Sequence, residues 1–188
     1  MGKRQDWIII QRLGDIVLSR VSGAVFEVGI GKSTEMLKKI ADDFGREMYS
    51  FDMHSSRCSW AEGIGCNVIR GKTKTTLNSF LNSFPDIAVA LGLIDGRHDS
   101  ITARMEVRFF LELLTPGGMI FMHDTSMPTD RKIREESHPR GPAGDVYKVR
   151  QELEIRRDIQ TFTWPYTAMN QGLTMFMKLE NNRCFSRA

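Results

Sequence analysis

From Ile87 to Ile94 the chain is almost continuously apolar. A run of that kind belongs to a central strand buried on both faces, which requires helices on both sides of a sheet. Other short β-type runs lie before and after it, at Ala24–Val28, Met48–Asp52, Cys66–Ile69 and Met119–Met122, with two late ones at Ile159–Thr163 and Leu173–Leu179. Helical stretches alternate with them. Ile8, Ile9, Leu13, Ile16, Val17 and Val21 recur at helical spacing near the start. A second helix opens at Ser33-Thr34, carries Met36, Leu37, Ile40 and Phe44, and stops at Gly45. Ser33 is the expected N-cap and Gly45 the residue just past the C-terminus. Further helices are expected near 75–84, 101–114 and 146–157, with Pro116-Gly117-Gly118 turning the chain into the fifth strand. Strand alternating with helix predicts an α/β fold with a mostly parallel sheet.

At 188 residues the chain is sized for one domain, spanning 1–188, with residues 1–22 as an N-terminal cover helix for the sheet. A dimer contact is the alternative use of that helix. A net charge of +3, with Lys and Arg interleaved among Asp and Glu, argues against a nucleic-acid partner. Three cysteines, Cys58, Cys66 and Cys184, without paired spacing argue against a disulfide framework or a structural zinc site. The apolar start is broken by Gln11, Arg12 and Asp15 before it reaches signal-peptide length. No stretch approaches the ~20 apolar residues of a membrane span. A cytoplasmic protein is expected.

In a sheet of this kind ligands sit beyond the carboxyl ends of the strands, where the strand order reverses. The residues to watch are therefore Gly29–Ser33, Asp52–His54, Gly71–Thr73, Asp95–Asp99 and His123-Asp124. The first turn admits three ligands. A dinucleotide motif would want glycine where Thr34 stands. A phosphate loop would need its first glycine at Phe26, inside the strand, leaving too few backbone N–H groups to wrap a phosphate. A nucleoside carrying a cationic sulfonium explains the acidic residues: Glu27 at the turn, and Asp52, which lies about 20 residues on and can accept both ribose hydroxyls.

Phe26-Glu27-Val28-Gly29-Ile30-Gly31-Lys32-Ser33-Thr34, Ser50-Phe51-Asp52, Leu93-Ile94-Asp95-Gly96-Arg97-His98 and Leu113 to Asp124 occur in that order. Together they resemble the class I S-adenosylmethionine-dependent methyltransferases. The nearest look is to the small-molecule O-methyltransferase branch with macrocin O-methyltransferase-like and cephalosporin hydroxylase-like proteins. The resemblance implies a Rossmann-like, seven-stranded sheet with its last strand antiparallel. It places the cofactor over Glu27, Gly29, Ile30, Gly31, Ser33 and Thr34, the ribose on Asp52, and the adenine near Met53 and His54, with Asp95 also at the cofactor. In metal-dependent members a divalent cation such as magnesium sits at the positions of Asp95 and Asp124, with His123 beside them.

Methyl transfer to oxygen is mainly alignment, helped by a base. His98 is the first candidate base and Asp95 the second, the acceptor being a small hydroxylated molecule. Residues 126–144, rich in Pro, Gly and charge, read as a mobile loop, either a lid over the acceptor or simply a solvated segment. The chain departs from the family pattern at Lys72, where an acidic residue is usual after the third strand, and at Arg97, which replaces a carboxylate. Those departures motivate the alternative, a methyltransferase-like domain that binds a nucleoside or a partner with little or no catalysis.

Overall fold

The computed structural model describes residues 5–126, 144–164 and 172–179. Seven strands form one sheet: β1 (Ala24–Val28), β2 (Met48–Asp52), β3 (Asn67–Arg70), β4 (Val89–Ile94), β5 (Leu114–His123), β6 (Ile159–Trp164) and β7 (Leu173–Lys178). Their spatial order is β3-β2-β1-β4-β5-β7-β6. The first five run parallel, and β7 inserts antiparallel between β5 and β6. This is the Rossmann-like, seven-stranded arrangement that the resemblance implied, with its last strand antiparallel. The order reverses between β1 and β4, so their carboxyl ends border the crevice where a ligand fits.

The helices are α1 (Gln5–Leu18), α2 (Thr34–Asp43), α3 (Ser55–Gly63), α4 (Thr73–Ser83), α5 (Ser100–Leu113) and α6 (Tyr147–Glu154). Two apolar layers result, one on each face. On one, Ile10, Leu37, Ile40 and Cys58 of α1–α3 pack with Val25, Leu91 and Phe121. On the other, α4, α5 and α6 close over Phe26, Tyr49 and Phe51. Phe26 packs edge-on against both Phe80 and Phe110, the geometry that ring quadrupoles favour. Among the described residues no helix is long and apolar enough to cross a membrane.

Several local expectations change. The buried stripe of α1 is Asp6, Ile10, Gly14, Val17 and Leu18, whereas Ile8 and Ile16 face outward. The reason is packing: Gly14 lets the helix lie against Leu91, whose methyl would stand 3.0 Å from an added Cβ. The helix α3 was not anticipated. It buries only Cys58 and Ala61, too little apolar residue to show a period. Strand β5 begins at Leu114 instead of after the glycines, because Leu114 is already extended and pairs with Val89. Ser33 does stand at the N-cap of α2, but its hydroxyl makes no capping bond. Most of the loop expected at 126–144 lies outside the described residues, as does Cys184.

Candidate active site

The turn after β1 is held from below and from both sides. Gly29 has φ +91°, and a Cβ on it would fall 2.0 Å from the carbonyl oxygen of Asp95. No side chain fits there, so the turns after β1 and β4 touch backbone to backbone. The Val28 carbonyl accepts from Asp95 N–H at 2.9 Å, and Gly29 N–H donates to Phe51 at 2.9 Å. Asp52 ties the second strand to the same turn. One of its oxygens accepts from Ile30 N–H at 2.9 Å, the other from His54 N–H at 2.7 Å. Arg57 stands 3.8 Å from it. Met53 and His54 are exposed beside this carboxylate, while the Ile30 side chain is buried in the core.

Glu27 is found beneath the turn, not on its open side. It is fully buried, and its carboxylate accepts from Ser33 Oγ at 2.6 Å, Thr34 Oγ1 at 2.8 Å and Ser50 Oγ at 3.3 Å. This explains the missing cap, since the Ser33 hydroxyl is spent on Glu27. Burial pushes the Glu27 carboxyl up to about 7, against those three hydroxyls, which lower it. Gly31 N–H donates to Thr34 Oγ1 at 2.9 Å. With Ile30 and Gly31 N–H groups taken by side chains and a carboxylate underneath, the turn is poorly suited to cradle a phosphate.

Beyond β4 and β5 lies a cluster of two aspartates and two histidines. His98 Nε2 stands 2.9 Å from Asp124 and 3.5 Å from Asp95. His123 Nδ1 stands 3.1 Å from Asp124 and 3.6 Å from Asp95. Asp124 and His123 are buried; Asp95 and His98 open partly to solvent. Asp124 takes a positive φ of 60°, an uncommon conformation for a residue with a Cβ. Burial alone would lower both imidazoles. The facing carboxylates outweigh it and lift His98 and His123 to about 10, while the two rings hold Asp124 below its ordinary value.

Three partners of this cluster escaped the sequence reading. Asp6 of α1, fully buried, lies 3.0 Å from His123 Nε2. Trp7 stacks on the His123 ring at a centroid distance of 5.7 Å. Gly144 packs so tightly on the His98 backbone that a Cβ would fall 1.6 Å from its carbonyl oxygen. An aspartate on the buried stripe of α1, in step with Ile10 and Val17, was the available sign. A fourth, Glu106 on α5, is buried under Gly96 and accepts from Thr73 Oγ1 at 2.7 Å; burial raises it to about 7.

Arg97, whose charge raised a question at the cluster, turns outward to Asp99 at 2.6 Å. Lys72 is exposed. The donors do not fit magnesium: that ion asks for oxygens and retained waters, and here two imidazole nitrogens face the carboxylates.

Residues 26–125 match the profile of a methyltransferase domain. The chain belongs to that family. Curated proteins give no match. Among solved structures, the fold is similar to an O-methyltransferase from Bacillus cereus in complex with SAH, at TM-score 0.71 and 14% identity, covering 95% of this chain and 83% of that one. It is also similar to the O-methyltransferase TomG from Streptomyces achromogenes, involved in tomaymycin synthesis and bound to SAM, at TM-score 0.68 and 15% identity over 96% and 82%. The SAH-bound Podospora anserina methyltransferase PaMTH1 gives TM-score 0.69 and 17% identity over 96% and 80%. At these identities the methyltransferase shares a fold with them.

Proposed function

We propose that this methyltransferase moves a methyl group from S-adenosylmethionine to a hydroxyl of a small-molecule acceptor. The observation that carries the reading is the joint made by Gly29, Asp52 and Asp95: the turns after β1 and β4 are in backbone contact, and the Asp52 carboxylate ties the turn after β2 to the one after β1. The cofactor would lie over Gly29 and Gly31, with the lone pairs that Asp52 keeps free of Ile30 and His54 turned to the ribose, and Met53 and His54 near the adenine. Ser33, Thr34 and Glu27 then act from below, as the frame of the turn. SAM and SAH in the structural neighbours support this choice.

The reaction is an in-line displacement. An acceptor oxygen attacks the methyl carbon, the carbon–sulfur bond breaks, and the hydroxyl proton leaves to a base. Asp95 and His98 stand together on the solvent side of the cluster to take it. His98 accepts a proton only once another positive charge relieves its hold on Asp95 and Asp124. The outward turn of Arg97 leaves that cluster free and favours turnover over a binding-only role. The buried Cys58 and Cys66, both free thiols, suit the reducing cytoplasm.

Calorimetry with S-adenosylhomocysteine, followed by methyl transfer from labelled S-adenosylmethionine to a panel of hydroxylated acceptors, tests the proposal. Saturable binding and label in an acceptor are expected. Absence of binding at millimolar ligand would refute it, and binding without any transfer or cofactor hydrolysis would leave the binding-only domain.

A further inference from the structure

We propose that Glu106 of α5 is a specificity residue for the cofactor, its carboxylate accepting a hydrogen bond from the exocyclic amino group of the base and so selecting a 6-amino purine. The inference rests on the S-adenosylmethionine reading. It adds a contact from the interior of a helix, away from the turns that the sequence marks.

The carboxylate is half satisfied. Glu106 is 1% exposed. Its Oε1 accepts from Thr73 Oγ1 at 2.7 Å, at the start of α4, while Oε2 has no hydrogen-bond partner among the described residues. Asp99 and His98 act on it through space in opposite senses, and Oε2 bonds to neither. A buried acceptor without a donor is costly, and its persistence calls for a partner from outside the chain. The carboxylate lies against Gly96, in the turn after β4, where a Cβ would stand 3.6 and 3.7 Å from its two oxygens. Glycine keeps side-chain atoms from coming between that turn and the carboxylate.

Both turns that meet Glu106 also meet the cofactor crevice. Gly71 N–H, two residues before Thr73, donates to the Asp52 carbonyl at 2.9 Å. Asp95, next to Gly96, touches Gly29 backbone to backbone. With the ribose on Asp52 and the sulfur end over Gly29 and Gly31, the base falls on the β3 side, between those two turns and above Glu106. The turn after β3 offers no acid of its own, being Gly71-Lys72-Thr73. On the polar edge of adenine only the 6-amino group donates; the ring nitrogens accept and would meet an ionised Oε2 lone pair against lone pair. The amino group is therefore the atom that Oε2 selects, and a base without it leaves that oxygen unsatisfied.

The test compares S-adenosylhomocysteine with the analogue carrying hydrogen in place of the 6-amino group, by calorimetry on the full chain above pH 7, where Glu106 is ionised. The wild-type protein should bind S-adenosylhomocysteine at least about tenfold tighter, the worth of one hydrogen bond to a charged group. Glu106→Met keeps the length of the side chain and buries no charge. It should bring the two affinities within about threefold, since neither ligand then meets an acceptor. A purely structural role would shift both affinities together and leave their ratio intact. Equal affinities in the wild-type protein overturn the contact with no variant needed, and a folded Glu106→Met protein that keeps the wild-type ratio overturns the role of Glu106. No binding of S-adenosylhomocysteine overturns the methyl-transfer reading and this contact with it, whereas binding of both ligands with equal affinity overturns the contact alone.

Discussion

Replacing Glu27 by Gln should make the protein less sensitive to pH between 5 and 8. The Glu27 carboxyl is fully buried and raised from 4.5 to about 7. Because the folded-state value lies above the unfolded one, the folded chain holds more protons across that window, and stability falls as pH rises through it. The full difference amounts to about 3 kcal/mol above pH 7. At pH 5 the cost is still under about 1 kcal/mol, so the change from pH 5 to pH 8 is about 2.5 kcal/mol. In a chain of this size that corresponds to about 5–10 °C in melting temperature. Glutamine keeps one acceptor oxygen for the hydroxyls of Ser33, Thr34 and Ser50, offers an amide donor to another, and carries no charge to bury. Melting curves of both proteins at the two pH values give the result as a difference of differences, which cancels the other titrating groups. Glu27→Gln should lose several degrees less than wild type. Parallel losses would refute the burial reasoning. Affinities for S-adenosylmethionine and S-adenosylhomocysteine, measured on the same variant, should keep their ratio. A selective loss for the cationic cofactor would mean that Glu27 acts on the sulfonium and not only as the frame of the turn.

Further outcomes follow from the same geometry. Gly29→Ala places a Cβ 2.0 Å from the Asp95 carbonyl and should cost more than about 3 kcal/mol, read as a melting temperature lower by roughly 6–12 °C; a wild-type melt would contradict the backbone contact. Asp52→Ala frees the N–H groups of Ile30 and His54 and removes the acceptor proposed for the ribose hydroxyls; it should weaken S-adenosylhomocysteine binding by at least about tenfold in calorimetry, a hydrogen bond to a charged group being worth about 1.5–3 kcal/mol. For His98 and His123, raised to about 10 from 6.5, the stabilising ion pairs are complete below pH 6.5 and lost as pH rises toward 10. Thermal stability should therefore decline on the alkaline side, and His123→Gln should flatten that decline; a flat wild-type profile from pH 7 to 10 would count against the pairing.

The central strands were legible because β1, β2, β4 and β5 each end in a largely apolar run closed by glycine or an acidic residue, and because a run as apolar as Ile87–Ile94 has only one comfortable place. Edges were less so. Strand β3 is half exposed, and α3 buries two small residues, so neither carries much pattern. The first helix shows the limit of periodicity: Ile9, Leu13, Val17 and Val21 do pack toward the core, but Ile8 and Ile16 of the same stripe face outward, while Asp6, Ile10 and Gly14 take buried positions. At the site, the rule of looking after each strand brought Gly29, Asp52, Asp95, His98 and Asp124 into view together. It could not reveal that Glu27 points down, since alternation says which face a strand residue takes and not which hydroxyls await it. Nor could it reach Asp6 or Gly144, which meet the cluster only through tertiary packing.

Asp6 and His123 are 117 positions apart, and their meeting has a cost in time. The aspartate lies on the buried side of α1, and the imidazole it meets stands at the end of β5. The rest of the helix has its seat sooner, since Ile10, Val17 and Leu18 pack with Leu37 and Ile40 of α2 and with Leu91 of β4. The pairing of Asp6 with His123 thus joins α1 to the far side of the cluster only when β5 is in place, a long-range contact between segments distant in the chain.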